Sequence, residues 1–274
     1  MTAPAATGVS PAWLDLRERA DGAARSRDLV RRLRPRLPGD GPLVVHDLAC
    51  GSGSMGRWLA PLLAGPQRWV LHDRDPDLLA LAESAVPDSS ADGAVVTVET
   101  RLSDVTRLDP EELAGSNLIT ASALLDLLTE DELAALVEVC AEAGCPVLFA
   151  LSVTGRVQLL PADPLDSRVA ASFDAHQRRV TPRGRLYGPD AGEAAVRAFR
   201  RLGAETVVRP SPWRLGPEDA GLTAEWLAGW IEAACEQDAD LATDVDPYRR
   251  RRLREAEAGR LAVTVGHADL LVLP

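Results

Sequence analysis

At 274 residues the chain is long enough to bury a substantial core, and one α/β domain with additions is the reading its length favours. Its 41 acidic against 30 basic residues leave a net charge of -11, so a nucleic acid would meet a repulsive field. No apolar run reaches the length of about 18 residues that marks a membrane span, and no secretion signal opens the chain, so a cytoplasmic location is expected.

Residues 1 to 11 are small and Pro-bearing and read as disordered up to Trp13. From 14 to 35, mixed charge with Leu and Val at helical spacing predicts a helical cap ending near Pro38 and Gly39. Beyond it, apolar runs alternate with helical patterns in a repeating β-then-α order, which is the signature of a parallel sheet covered on both faces. Seven strands are predicted, at 43–47, 68–73, 95–99, 117–121, 146–151, 205–209 and 269–273. The helix after Gly53 should stop or kink at Pro61. Thr129 and Glu132 have capping-box spacing, with Leu133, Leu136 and Val137 on one face, and Asp190 and Gly203 frame another helix. Two stretches break the alternation: 152–189, rich in Pro and Arg, and 211–260, which reads as helices near 223–236 and 246–258. Both follow the ends of late strands, where open α/β sheets bind ligands, so both read as substrate-side additions to a cofactor-binding core at 39–151.

Four cysteines (Cys50, Cys140, Cys145, Cys235) lack Cys-x-x-Cys spacing, which removes disulfide-framework, zinc and redox readings. Arg is heavily favoured over Lys, a bias associated with high-GC bacterial genomes.

The segment from Leu43 to Gly56, LVVHDLACGSGSMG, runs from an apolar strand into a glycine-rich turn and then a helix. Gly51, Gly53 and Gly56 spell the dinucleotide pattern G-x-G-x-x-G, with Asp73 about twenty residues on. Asp47 at the strand tip would repel a pyrophosphate but suits the ammonium of a methionine moiety, so the sign of the site favours S-adenosyl-L-methionine over a dinucleotide.

On these residues, DLACGSG resembles the D-x-G-x-G-x-G motif of class I S-adenosylmethionine-dependent methyltransferases, with Ala49 in place of the usual first glycine. The resemblance covers about Gly39 to Leu151 and the final two strands. It implies a doubly wound, Rossmann-like sheet of seven mostly parallel strands with the last antiparallel. Around the cofactor it implies Asp47, Ala49, Cys50, Gly51 and Gly53 in the first turn, and Asp73 with Arg74 at the ribose. Ser103, Asp104 and Val105 would lie at the adenine, and Ser122 beneath the cofactor. Arg25 is a candidate for the methionine carboxylate; its other reading is a solvated charge. Asp73 and Asp104 also read as ordinary turn or cap residues.

Methyl transfer mainly needs the acceptor held near the methyl in a dry pocket, so no obligatory catalytic residue follows from the motif. His176 and Asp126 are the candidates for a base or acceptor ligand, although Asp126 also reads as a helix cap and His176 as a surface residue. Gln177, Arg178, Trp213 and Arg214 are candidate acceptor contacts. His46 reads as packed and His72 as near the ribose edge, while Trp226 and Trp230, four apart, read as core. The arginine run between Tyr248 and Arg254 reads as a solvated face. The loop after the fourth strand has neither the Asn or Asp-Pro-Pro-aromatic sequence of amino-methylating DNA enzymes nor a cysteine nucleophile. The function expected is therefore methylation of a small molecule, on oxygen or nitrogen before carbon, by a monomer or homodimer with no metal, nucleic-acid or membrane partner. The rivals are an NAD(P)-dependent oxidoreductase using the glycine turn and a catalytically silent subunit of the same fold.

Overall fold

The structure, a computed structural model, describes residues 9–39 and 41–274. The disorder expected for the first residues concerns mainly 1–8, which lie outside the described residues; the first helix, α1 (Pro11–Ala24), begins at Pro11, before Trp13. Ser10 caps it by accepting from the Trp13 N–H, and Ser26 caps α2 (Arg27–Leu33) in the same way through Leu29.

The alternating part follows as β1 (Leu43–Leu48), α3 (Ser54–Leu59), β2 (Gln67–Asp73), α4 (Pro76–Ala85), β3 (Val96–Leu102), β4 (Leu118–Ser122) and α5 (Glu130–Glu142). After it come β5 (Val147–Leu160), α6 (Asp166–Gln177), a small hairpin of β6 (Val180–Thr181) and β7 (Gly184–Arg185), and α7 (Ala191–Arg201). The chain ends with β8 (Glu205–Pro210), β9 (Trp213–Leu215), α8 (Ala220–Gln237), α9 (Val245–Glu257) and β10 (Ala262–Leu273). The main path of the sheet runs β3-β2-β1-β4-β5-β10-β8, and β10 is antiparallel to both neighbours. The reversed last strand in a mostly parallel sheet is what the resemblance implies. α3 gives way to a 3-10 turn at Ala60–Leu62, because Pro61 cannot continue the α-helical ladder. Thr129 and Glu132 form the capping box of α5.

One face of the sheet packs on α2, α3 and α4, with Leu29, Leu33, Leu59 and Trp69 fully buried. The other packs on α5 and α7 through Leu136, Val137 and Phe199. A third cluster joins α1, α6, α8 and α9 to the outer parts of β5, β9 and β10, and there Trp226 and Trp230 stack at 5.0 Å between centroids.

Three departures from the sequence reading lie in this third cluster. β5 continues to Leu160 instead of stopping at Leu151, and β10 starts at Ala262 instead of 269, because each outer arm supplies the other's backbone hydrogen bonds, from Ala262 opposite Leu160 inward. β9 adds a short partner to the same arm. The arginine run is not wholly solvated: Arg252 is buried, donating to Asp166 and Glu255, and so ties α9 to α6. Arg250 and Arg251 remain exposed, as expected.

Where the outer arms leave the parallel sheet, β10 bulges, and buried Asp269 holds the corner together. Its carboxylate accepts from the Ser26 N–H at 2.6 Å, the Leu151 N–H at 2.8 Å and the Ser211 hydroxyl at 2.5 Å. One anion thus joins the start of α2, the bend in β5 and the link between β8 and β9. Replacing it leaves three buried donors unsatisfied, so Asp269→Ala should lose about 3 kcal/mol or more of unfolding free energy in a urea titration. A loss comparable to that of an exposed carboxylate would contradict this role.

Candidate functional site

Among the described residues, three non-glycine residues have positive φ: Ala49 (51°), Ala123 (53°) and Leu151 (56°). Each directly follows the inner part of β1, β4 or β5, three strands adjacent in the sheet. An L-residue in this conformation costs on the order of 1–2 kcal/mol, so this strand edge is held in a shape that local preference opposes. At Ala49 it explains why the motif normally has glycine there: alanine is accommodated, but in the left-handed region. Gly51 and Gly53 follow with φ of 55° and 82°, and a Cβ on Gly53 would meet the Ala82 backbone at 3.1 Å. Gly56 has a different task, since a Cβ there would lie 2.6 Å from Val86 and push α3 off the end of α4.

Asp47 is buried in the middle of the sheet at the end of β1. One carboxylate oxygen accepts from the Thr120 hydroxyl of β4 at 2.7 Å, and the other, Oδ2, has no partner. Burial pushes its pKa up from the ordinary 3.8 to about 7, against the pull of the Thr120 hydrogen bond and the nearby Arg25 charge. Arg25 reaches the site from the end of α1 and is itself buried. Its Nη2 donates to Ser54 Oγ at 2.9 Å and Ser122 Oγ at 3.1 Å, while Nη1 donates to the Ser54 carbonyl at 3.2 Å. Its Nε has no partner, and its guanidinium lies 5.7 Å from the Trp58 ring. The solvated reading of Arg25 is thereby corrected. Glu18 reinforces the lid by pairing with Arg57, which also donates to the Ser52 carbonyl of the glycine turn.

Asp73 ends β2 and accepts from the Gly51 N–H at 2.9 Å and the Asp75 N–H at 3.0 Å, one on each oxygen. It therefore shapes the glycine turn from the neighbouring strand end. Cys50 is buried beside it, its N–H donating to the His72 carbonyl, and burial drives its thiol pKa upward, which makes it a poor nucleophile. Ser103 donates its N–H to the Asp73 carbonyl, and its hydroxyl sits 3.0 Å from His72 Nδ1. His72 in turn meets His46 at 3.0 Å, and burial lowers the pKa values of the two rings to about 4 and about 3, so both are neutral. Asp104 is exposed and caps the next turn by accepting from the Thr106 N–H and hydroxyl. Arg74 is exposed, while the Val105 side chain belongs to the core.

On the acceptor side, Asp126, His176 and Gln177 are brought to one cavity of about 190 Å³, together with Phe173, Leu186 and Arg179. Asp126 does not cap α5, a task that Thr129 performs. Arg178, Trp213 and Arg214 are not brought there. Arg178 forms a two-point pair with Asp190. Trp213 is buried, donates to Asp21 at 2.9 Å and lies under the Arg17 guanidinium, so it fastens α1 to β9 rather than walling an acceptor. Arg214 points outward on β9. Among the described residues no group of His, Cys, Asp or Glu is placed to hold a metal, and no helix is long and apolar enough to cross a membrane.

Sequence reading missed Thr120, Ser54 and Asp269. The signal for Thr120 was a lone hydroxyl in an apolar strand; Ser54 and Asp269 carried none, because their partners are distant in sequence.

No family model and no curated protein matches the sequence. Solved structures do resemble the fold. A mycolic acid cyclopropane synthase complexed with SAH and CTAB is 11% identical at a TM-score of 0.48, over 89% of this chain and 83% of that one. An S-adenosylmethionine-dependent methyltransferase from Geobacter sulfurreducens, in complex with S-adenosyl-L-homocysteine, is 15% identical at 0.45, over 97% and 98%. A geranyl diphosphate methyltransferase in complex with GPP and sinefungin is 10% identical at 0.44, over 89% and 77%. All three are distant. The sheet is mostly parallel and Rossmann-like, with β10 its one reversed strand.

The raised pKa of Asp47 has a thermodynamic consequence. A carboxyl that binds its proton more tightly when folded stabilises less as pH rises, here from about 4 to about 7. Asp47→Asn removes that dependence. Relative to the parent, its melting temperature should therefore rise progressively between pH 4 and 7 and level off above. A constant difference across that range would mean that Asp47 titrates normally.

Proposed function

We propose that the chain binds S-adenosyl-L-methionine and transfers its methyl group to oxygen or nitrogen of a small molecule. The observation that carries this reading is a pair of buried polar atoms of opposite charge type without partners, Asp47 Oδ2 and Arg25 Nε, at the two sides of the glycine turn. An α-amino acid end group fits them, its ammonium at Asp47 and its carboxylate at Arg25. A pyrophosphate fits poorly, because it would face the Asp47 carboxylate and a helix of only six residues.

The remaining assignments follow the same line. Ala49, Cys50, Gly51 and Gly53 form the floor under the cofactor, Asp73 takes the ribose hydroxyls while its oxygens hold the turn, and Ser103 and Asp104 flank the adenine. Arg74 and Val105 occupy the rim and the back of that end. The cofactor supplies a methyl group already activated on a sulfonium. The protein's own work is to orient the acceptor, keep water out and accept a proton where the acceptor has one to lose, for which Asp126 and His176 are the groups at hand.

Titrating the purified protein with S-adenosylhomocysteine and, separately, with NADH tests the reading. The expected outcome is S-adenosylhomocysteine binding at least about tenfold tighter than NADH, and Asp73→Ala weakening it by about tenfold to a hundredfold. Tight NADH binding with no response to S-adenosylhomocysteine would overturn it in favour of the oxidoreductase.

A further inference from the structure

The cavity between α6, α8 and the loop after β4 has an uneven chemical lining. Its walls are apolar, from Phe173 on α6, Leu127 after β4 and Leu186 after β7. Its polar side chains are chiefly hydrogen-bond acceptors. Desolvation pushes the pKa of the Asp126 carboxyl up to about 6, against a hydrogen bond from its own backbone N–H and the more distant charges of Arg17 and Arg179, with no hydrogen-bonding side chain. Gln177 Oε1 is buried without a partner. His176 lies 3.0 Å through Nε2 from Glu236 on α8, a pairing in which Nε2 carries the proton, so that in the neutral tautomer Nδ1 is the acceptor. Arg179 is the contrary element, but it is exposed and donates to the His176 carbonyl. Phe173, His176 and Gln177 share one helical face by their spacing, so a single element presents both apolar body and acceptor atoms.

A ligand that satisfies such a lining must bring donors of its own, and a carboxylate held only by a backbone N–H, with no side-chain donor, in a partly desolvated site gains most from a cation. We propose that this cavity takes the protonated amino group of an amine with an apolar body, with Asp126 as counter-ion and Gln177 Oε1 and His176 as further acceptors. This specifies nitrogen as the acceptor atom and rests on the methyltransferase reading above for its catalytic meaning: the ammonium would first give a proton to Asp126 or His176, and the freed nitrogen lone pair would attack the methyl carbon as the carbon–sulfur bond breaks, releasing S-adenosylhomocysteine. Its binding meaning is independent of that reading.

Three probes of one shape and different charge test it: phenethylamine, 2-phenylethanol and phenylacetate. Each is titrated calorimetrically into the protein, with and without saturating S-adenosylhomocysteine, whose own binding is measured first. The amine should bind at least about tenfold tighter than the alcohol or the anion, and Asp126→Asn, checked for an unchanged fold by its melting temperature, should remove that preference. Equal binding of the three probes, preference for phenylacetate, or no saturable binding of the amine would each overturn the proposal. Because probe selectivity is read without cofactor, failure to bind S-adenosylhomocysteine would count against the methyltransferase reading alone. Intact S-adenosylhomocysteine binding with no amine preference would count against the amine alone.

Discussion

The site depends on one buried carboxylate that is not itself part of it. By accepting from Ser26, Leu151 and Ser211, Asp269 fixes the corner between α1 and α2 to the point where β5 bends away from the parallel sheet. Arg25 is the residue at that corner, immediately before Ser26, so its position above Ser54 and Ser122 follows from the same anchor. That anchor fixes the C-terminal end of α1, while the Trp213–Asp21 hydrogen bond and the Glu18–Arg57 pair hold the helix body. The positive φ at Leu151 is the local cost of the bend, and the charge-assisted bonds to Asp269 offset it.

Given that anchor, two opposite charges are held in a low-dielectric site with little water to screen them. Each is costly to bury alone, which is why the pKa of Asp47 rises and that of Arg25 falls through desolvation. Serine and threonine hydroxyls satisfy part of each group, but Asp47 Oδ2 and Arg25 Nε remain buried without a partner. A zwitterion removes both deficits at once, whereas a simple anion or cation removes one and worsens the other. That asymmetry is the physical basis of the proposed cofactor choice, in which the glycines, common to both cofactor classes, contribute only the shape of the turn.

What the sequence made legible was local. The run from Leu43 to Gly56 contains its own strand, turn and helix start, and the capping box at Thr129 and the frame of Asp190 and Gly203 mark helices within a few residues, although the Asp190 side chain pairs with Arg178 instead of capping. Asp47 and Asp73 were readable because charge at a strand tip is informative whatever surrounds it. The pairing of 152–160 with the first half of β10 was not readable: Gly155 and Arg156 interrupt the apolar pattern, and the partner lies about a hundred residues away. Arg252 looked like one of four solvated arginines because its partner Asp166 belongs to another helix, and Trp213 looked like a pocket wall because its partner Asp21 lies at the other end of the chain. In each case the residue type was visible and its partner was not.

The central claim is that Asp47 and Arg25 select the cofactor by its amino-acid end. It is tested most directly by comparing, in one calorimeter, S-adenosylhomocysteine with 5′-methylthioadenosine, which keeps the nucleoside and the thioether but lacks the amino and carboxylate groups. The account predicts that the parent protein prefers S-adenosylhomocysteine by about a hundredfold or more and that Asp47→Lys, still folded, loses that preference. Equal affinities in the parent, or a preference that survives Asp47→Lys, would contradict it.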